Sequence, residues 1–397
     1  MADNPRRPDV SGLAPRVIDA AGLQSLIDAL VARGYTVVGP TVREGAIVNA
    51  PIRSIDELPR GCGDEQETAH YRLRRRDDDA LFGFAAGAQS AKPVFFPTDE
   101  LLWRGNRSPG GLSVQAEPAA DAPRQVGGPP YALLGVRSCD LSAIGIHDRV
   151  LTGRVQADAH YAGRRAGAFI VAVTCSDPGG TCFCVSMGTG PRPEGAPDAR
   201  YDLALTELLD GGAHRFVIDV GSPRGAEILS DMSTVAAAPQ DVAAADDVAA
   251  TATGRMGRTL DTDGIKELLY ANAESPRWDD VASRCLSCTN CTMVCPTCFC
   301  TTVNDISDLT GDAAERHREW DSCFDADFSY IHGGSVRKST ASRYRQWMTH
   351  KLGSWIDQFG TSGCVGCGRC ITWCPAAIDI TAEAAALRGA PQPARPF

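Results

Sequence analysis

The sequence predicts a protein in two parts: an N-terminal domain of α+β or α/β type with a mixed sheet, followed by a predominantly helical, cysteine-rich domain. Three observations support this prediction. Apolar strand-like runs alternate with helical periodicity in the first half, residues 231–262 are rich in Ala and Asp with little periodicity, and most of the sixteen cysteines come later. We expect domains at 1–230 and 263–397, joined by a linker at 231–262.

The N-terminal domain is predicted to begin with an amphipathic helix. Apolar residues recur at helical intervals over residues 17–33, and Gly34 follows as a stop signal. Short β-prone runs bounded by Gly and Pro predict strands of a mixed sheet at 35–39, 46–48 and 93–97. Residues 105–130 are rich in Gly, Pro, Ala and Ser, which indicates a surface loop.

A strand–helix–strand unit follows this loop. Residues 131–136 and 168–173 are apolar throughout, as in strands that are buried on both faces, and 141–151 has helical character. Two such strands with a helix between them predict a parallel βαβ unit. Residues 201–220 fit either a hairpin or a helix and strand pair. After the linker, residues 263–387 are predicted to be mainly helical.

Composition and charge restrict the possible partners. The 397 residues are 43% hydrophobic and 22% charged, which is typical of a globular protein, and the formal net charge of −10 argues against a nucleic acid or an anionic membrane surface as the main partner. No stretch approaches the roughly eighteen apolar residues of a membrane span, and the N-terminus lacks the apolar core of a secretion signal. We expect no nucleic-acid partner, no membrane span and a cytoplasmic location.

Sixteen cysteines are unusual in a chain of this length without a secretion signal. Thiols stay reduced in the cytoplasm, so metal or redox chemistry is expected rather than a disulfide framework.

Eight of the cysteines form two runs with the same spacing, C-x₂-C-x₂-C-x₃-C-P. In this pattern three thiolates bind one [4Fe–4S] cluster, and the fourth, which precedes proline, binds the neighbouring cluster. The two predicted ligand sets are Cys285, Cys288, Cys291 and Cys374 for one cluster, and Cys364, Cys367, Cys370 and Cys295 for the other. Zinc sites pair two C-x₂-C halves without a third member, so we favour two clusters in a ferredoxin-type domain.

Four more cysteines follow the two strands of the βαβ unit. Cys139 comes just after the first strand, Cys175 just after the second, and Cys182 and Cys184 lie in the next loop. Parallel strands deliver such loops to one edge of the sheet, so the four sulfurs could converge on a third iron–sulfur cluster or a zinc ion. Inert thiols beside a tight turn are the alternative.

The remaining cysteines carry a weaker signal. Cys298 and Cys300 follow Cys295 closely, and Cys323 comes later, so this group could tune a neighbouring cluster or supply three ligands of another site. Cys62 is predicted to be a bystander. Basic residues over 337–351, which include Lys351, could dock an acidic partner or form a solvated helix face.

Several segments together carry a resemblance to a known family. They are residues 135–141 (GVRSCDL), 179–191 (GGTCFCVSMGTGP), 295–300 (CPTCFC) and 320–323 (WDSC). The chain resembles the beta subunits of soluble NAD(P)-linked nickel–iron hydrogenases, also called sulfhydrogenases, and is similar to the A subunit of anaerobic sulfite reductase. The resemblance extends over residues 20–380.

The resemblance implies a non-catalytic electron-transfer subunit. It would pass single electrons between an NAD(P)H-oxidising flavin subunit and the hydrogenase small subunit, next to the large subunit that holds the nickel–iron site. Two alternatives remain open. One is the electron-input subunit of an anaerobic sulfite reductase, and the other is a self-contained flavin or metal reductase with its site at the edge that carries Cys139 and Cys182.

Overall fold

Strands occur in both halves of the chain in the computed structural model, which describes residues 13–116, 130–153, 156–193, 200–210 and 212–389. Within these residues the strands are, in chain order, β1 (Arg16–Asp19), β2 (Thr36–Arg43), β3 (Ala46–Pro51), β4 (Cys62–Glu67), β5 (His70–Arg75), β6 (Asp99–Ser108), β7 (Gly111–Ala116), β8 (Tyr131–Arg137), β9 (Phe169–Val173), β10 (Leu203–Asp210), β11 (Ala213–Val220), β12 (Val235–Ala236), β13 (Thr301–Ser307), β14 (Ala313–Trp320), β15 (Tyr330–Ile331) and β16 (Gly334–Ser335).

Helices alternate with these strands in the first half and dominate the second. In chain order they are α1 (Ala20–Ala32), α2 (Lys92–Phe95), α3 (Ser138–Leu151), α4 (Ala159–Gly167), α5 (Pro223–Ser230), α6 (Pro239–Gly254), α7 (Ile265–Ala271), α8 (Arg277–Arg284), α9 (Asn290–Met293), α10 (Thr340–Thr349), α11 (Trp355–Phe359), α12 (Arg369–Thr372) and α13 (Ile380–Gly389). A π-helical turn, His350–Ser354, joins α10 to α11. A short 3₁₀ turn, Ile55–Glu57, follows β3.

An eight-stranded mixed sheet forms the centre of the N-terminal region, in the order β12-β1-β11-β10-β9-β8-β2-β3. β2, β8, β9 and β10 run parallel, and the outer pairs are antiparallel. Every residue of β9 is buried, as expected for a strand that is covered on both faces. This sheet confirms the predicted mixed architecture, and β8, α3 and β9 confirm the predicted parallel βαβ unit.

Two sequence predictions in this region were wrong. The predicted strand at 93–97 is instead part of the short helix α2, which has Pro93 in its first turn, where the missing N–H of proline has no cost. The predicted loop at 105–130 contains the last four residues of β6 and all of β7, and residues 117–129 lie outside the described part of the chain. β6 pairs with β7, which follows it directly, and with β14 some 200 residues later, and local composition could not indicate the second pairing.

The first helix is shorter than its periodicity suggested. Val17 and Ile18 belong to β1, and α1 starts only after Asp19, whose carboxylate accepts a hydrogen bond from the Gly22 backbone N–H at 2.8 Å. The choice left open at 201–220 is resolved as a hairpin, because β10 and β11 pair antiparallel along their whole length.

The segment predicted as a linker, 231–262, contains β12 and the sixteen-residue helix α6. Ala245 of α6 is buried against Leu208 and Val217 of the sheet. Small alanine side chains let the helix approach closely, although they give a weak periodic signal in the sequence. The domain boundaries themselves stay a prediction.

A second sheet connects the two halves of the chain. Its strands lie in the order β13-β14-β6-β7 and all pair antiparallel. The hairpins β13–β14 and β15–β16 interrupt the predicted helical region, and the other regular elements of that region are helices.

A buried ion pair also fastens the two halves together. Arg369 of α12 donates two hydrogen bonds to the carboxylate of Asp140 in α3, at 2.7 and 2.9 Å, and donates further bonds to the Gly87 and Gln89 carbonyls. Only 1% of the Arg369 surface is exposed. The elements that carry the two groups of cysteines are therefore held in direct contact.

Candidate metal centres

The first predicted ligand set comes together at one pocket of about 480 Å³. Cys285 follows the end of α8, Cys288 precedes α9, and Cys291 lies within α9. Cys374, eighty residues further along the chain, follows α12 and lines the same pocket. The structure thus brings together the four thiols that the spacing assigned to one cluster.

The two cysteine runs share one backbone turn. Ser287 and Gly366 stand at equivalent positions with φ of 50° and 66°, and Thr289 and Gly368 are equivalent with φ of 67° and 75°. In both runs the backbone N–H two residues after the first cysteine donates to that cysteine's sulfur, at 3.4 Å from Ser287 to Cys285 and 3.5 Å in the second run. These turns place N–H donors at sulfur, as iron–sulfur ligation requires.

Two buried donors at the first pocket have no partner. The Tyr344 hydroxyl and the Trp347 Nε1–H make no hydrogen bond within the described residues, and both side chains line the pocket with the four cysteines. An unpaired buried donor costs about 1–3 kcal/mol. Sulfur acceptors in the pocket would remove this cost, so the donor set fits an iron–sulfur cluster.

The second predicted set is more deeply buried. Burial raises the pKa of Cys364 to about 12, and the nearby sulfur of Cys295 adds to the increase. Burial also raises the pKa values of Cys367 and Cys370, and again Cys295 contributes. Cys295 therefore lies among the three cysteines of the other run, as the exchanged pattern predicted.

Lys351 lies beside this set and is buried, with 5% of its surface exposed. Its ammonium donates to the sulfur of Cys295 and to the hydroxyl of Thr297, both at 3.1 Å. Burial alone would lower the pKa of Lys351, but the sulfurs of Cys295 and Cys298 raise it. For Lys351, both the predicted solvated helix face and the predicted docking surface are wrong, because the π-helical turn rotates this side chain inward.

The four cysteines of the βαβ unit also converge. Cys139 lies in the first turn of α3, Cys175 follows β9, and Cys182 and Cys184 lie in the next loop. All four line one pocket of about 330 Å³, together with Arg137 at the end of β8. Burial raises the pKa of each of these thiols.

Arg137 supplies an unpaired positive charge to this pocket. Its Nη2 donates to the Phe82 and Phe84 carbonyls at 2.8 Å each, but Nε and Nη1 have no partner in the described part of the chain. Only 4% of the residue is exposed. A buried, half-satisfied guanidinium beside four cysteines fits an anionic group such as a thiolate-bound iron–sulfur cluster.

The βαβ pocket and the second cysteine run are in contact. Cys367 lines the same pocket, and the Cys182 thiol donates to the Cys367 carbonyl at 3.9 Å. The Phe183 N–H donates to the Gly366 carbonyl at 2.8 Å. A Cβ on Gly366 would lie 2.6 Å from the Phe183 carbonyl oxygen, so only glycine allows this approach.

Cys298, Cys300 and Cys323 form a further group close to Cys295. Contact with Cys298 lowers the pKa of Cys295, and contact with Cys323 lowers the pKa of Cys300 to about 7. Cys62 is half-buried, and its thiol donates to the Arg60 carbonyl at 3.6 Å.

Sequence reasoning missed the polar residues around the sulfurs. Arg137, two residues before Cys139 and directly after an apolar strand, carried a usable signal. Lys351, Tyr344 and Trp347 did not, because helix packing decides which way they face.

The described residues contain neither a site for a single metal ion nor a membrane-spanning helix. No three His, Cys, Asp or Glu side chains among them are arranged to hold a single metal ion. None of their helices is long and apolar enough to cross a bilayer.

Comparison with known proteins bears on the same residues. A family described as 4Fe-4S dicluster domains matches residues 284–378, which contain both cysteine runs, so the predicted ferredoxin-type domain is confirmed. The chain is 33% identical over 252 residues to sulfhydrogenase 2 subunit beta of Pyrococcus furiosus, and the match covers 63% of this chain and 71% of that protein. No solved structure gives a significant match.

Proposed function

Since this chain belongs to the family of sulfhydrogenase beta subunits, we propose that it relays single electrons between an NAD(P)H-oxidising flavin subunit and the small subunit of a nickel–iron hydrogenase. An iron–sulfur electron-transfer role within a multi-subunit complex follows from the family and from the dicluster domain. We also propose that the partners are these hydrogenase subunits, that the protein is cytoplasmic and that it has no nucleic-acid partner.

We assign two [4Fe–4S] clusters to the ligand sets predicted from the spacing, and the shared backbone turn of the two runs is the observation that supports this assignment best. Such clusters accept and release one electron at a time. The chain's own residues supply the hydrogen bonds and the charge around the sulfurs. Ser287 and Gly366 direct N–H groups at sulfur, and Lys351 places a positive charge at Cys295.

We assign a third iron–sulfur centre to Cys139, Cys175, Cys182 and Cys184. Their common pocket and the unpaired nitrogens of Arg137 support it. Since Cys367 lines the same pocket, the third centre would adjoin the cluster of the second run. Electrons could therefore pass from the sheet edge through the second run to the first.

The relay is tested in the complete complex with Cys288→Ala and Cys367→Ala. Both variants should lose hydrogen turnover that is linked to pyridine nucleotide and keep turnover with an artificial dye that reacts at the hydrogenase itself. Cys62→Ala serves as the matched control and should keep both activities. Normal NAD(P)-linked turnover in both cluster variants would overturn the proposal, provided that each still copurifies with its partners.

The number of centres is tested on anaerobically purified protein. Iron and acid-labile sulfide should be about twelve per chain, and Cys175→Ser should remove about four of each. About eight irons in the native chain, unchanged in Cys175→Ser, would confine the relay to the two cysteine runs.

One further cavity supports a second candidate function. A cavity of about 600 Å³ lies where β2 diverges from β8, and Pro40, Gly135 and Arg137 line it. Cofactor sites favour the carboxyl ends of parallel strands, where this cavity lies. A flavin bound there would make the chain a self-contained reductase. Flavin absorbance in the isolated chain, with NAD(P)H oxidation in the absence of partners, would establish this alternative.

A further inference from the structure

Cys300 and Cys323 lie at the two ends of one hairpin. Cys300 immediately precedes β13, and Cys323 follows β14 by three residues. The strand register pairs Thr301 with Trp320, and the Asp321 N–H donates to the Cys300 carbonyl at 2.9 Å. The ladder therefore brings two cysteines that are distant in sequence to the same open end of the hairpin.

The two side chains are in contact with each other. The Cys323 thiol donates to the Cys300 sulfur, and the Cys323 backbone N–H donates to it as well. Together with the nearby Lys351, these donors lower the pKa of Cys300, which favours its thiolate form. Both residues are partly exposed, which allows small redox reagents to reach them.

Two buried lysines lie in this region. Lys92 and Lys351 are each 5% exposed, and neither pairs with a carboxylate within the described residues. Lys92 lies over the Trp320 ring, with Nζ 3.5 Å from its centroid, and donates to the Cys298 carbonyl at 3.2 Å. Burial lowers the pKa of Lys92, whereas the sulfurs of Cys295 and Cys298 raise the pKa of Lys351, so Lys351 is the cation that favours negative charge on the sulfurs around it.

Cys298 connects this pair to the second ligand set. It contacts Cys295, and the nearby Cys300 contributes to raising the pKa of Cys298. Cys298 therefore lies between the Cys300–Cys323 pair and Cys295, in contact with Cys295 and within electrostatic range of Cys300.

We propose that Cys300 and Cys323 are a redox-active dithiol. On oxidation one S–S bond forms, the Cys323 S–H bond and any S–H bond of Cys300 break with their protons passing to solvent, and two electrons leave one at a time toward the centre assigned to Cys295. Reduction reverses each step. The pair would store a two-electron equivalent beside a one-electron relay. This inference depends on the proposed function for its electron acceptor, whereas the formation of the disulfide does not.

The dithiol is tested on anaerobically purified holoprotein, equilibrated with graded ratios of oxidised to reduced dithiothreitol, quenched with an alkylating reagent and digested for mass spectrometry. Cys300 and Cys323 should convert together, in a two-electron transition, from two alkylated peptides to one cross-linked peptide. Cys323→Ser should abolish the transition at Cys300 and leave iron content unchanged. Cys62→Ser, another partly exposed cysteine, should preserve both transition and iron.

Two results would overturn the dithiol. In one, the cysteines stay separately alkylated at every ratio. In the other, Cys323→Ser loses several irons per chain, which would make the group a metal site. If the native chain contains no iron, the proposed function is contradicted. The cross-linked peptide can still be detected in that case, so the dithiol is tested independently.

Exchange with the relay is tested by reductive titration. Oxidised native protein should take up two more electrons per chain than Cys323→Ser before the EPR signals of the reduced centres reach their maximum. Equal uptake by the two proteins would refute the exchange.

Discussion

Arg137 combines a buried positive charge with an incomplete set of hydrogen bonds. Two of its nitrogens have no partner among the described residues, and its side chain lines the pocket of Cys139, Cys175, Cys182 and Cys184. A group that becomes more negative on reduction is stabilised by such a charge. The residue is therefore expected to raise the reduction potential of the centre assigned there.

Arg137→Met tests this expectation, because it keeps most of the side-chain volume and removes the charge. A charged hydrogen bond contributes about 1.5–3 kcal/mol, which corresponds to about 60–130 mV for a one-electron couple. The potential of the third centre should fall by this amount in an EPR-monitored titration. Arg72→Met, at an exposed position, should leave it unchanged. Equal potentials and equal iron content in both variants would contradict the assignment.

Gly366 is the residue on which the contact between two centres depends. Its φ is 66°, and an added Cβ would meet the Phe183 carbonyl oxygen at 2.6 Å and the Cys184 Cα at 2.7 Å. Gly366→Ala should cost about 2–5 kcal/mol, the sum of left-handed strain and overpacking. Thermal unfolding should occur at a lower temperature, and iron content should fall.

Gly360→Ala is the matched control for this change. Gly360 has a similar φ of 69° but nothing within 4 Å of its added Cβ. It should cost only the strain, about 1–2 kcal/mol, and keep its iron. Equal effects of the two substitutions would show that the close approach to the Cys184 loop is unimportant.

At the scale of elements, α3 and α12 are held together by one buried ion pair. Asp140→Ala would leave Arg369, 1% exposed, without its carboxylate. Breaking a buried pair in this way costs about 3–5 kcal/mol. Asp305→Ala, which removes the exposed partner of Arg316, should change the unfolding temperature little, because solvent screens this surface pair. Similar unfolding temperatures for the two variants would contradict the proposed importance of the α3–α12 contact.

Elements with a strong local signal could be predicted from the sequence, while those fixed by distant partners could not. The strand β9 is apolar at every position, and the two cysteine runs have fixed spacing, so both were recognised. β6 and β7 were missed because their segment has the composition of a loop, and β14, the other partner of β6, is far away in the chain. The helix α6 was taken for a linker because its buried face consists of alanines, whose contrast with the exposed face is small.

The candidate sites follow the same division. Cysteine positions were visible, since ligand spacing is local in sequence. The surroundings of the sulfurs depend on packing between α10, α12 and the sheet, which brings Lys351 and Trp347 to the cysteines only after folding. Sequence spacing could therefore suggest ligands, but it could not identify the charges and donors around them.

At the scale of the whole molecule, the two halves depend on the cysteines to different degrees. The large sheet has its own core, in which Leu23, Leu26 and Phe216 are fully buried. In the second half, by contrast, many of the cysteines pack directly against the core around Trp347 and Met348. Loss of the clusters should therefore loosen the second half first.

Iron removal under anaerobic chelation tests this difference by hydrogen exchange and mass spectrometry. Peptides that cover residues 285–295 and 364–374 should lose protection, because without iron their sulfurs have no ligand to hold the turns and burial favours protonated, neutral thiols. Peptides of β8 to β10 should keep most of their protection, since parallel strands that are buried on both faces open only with global unfolding. Addition of iron and sulfide should restore the protected state. Uniform loss of protection along the chain would instead show that the clusters hold both halves as a single cooperative unit. The ion pair between Asp140 and Arg369 would then be the first contact to examine, because it joins the two halves.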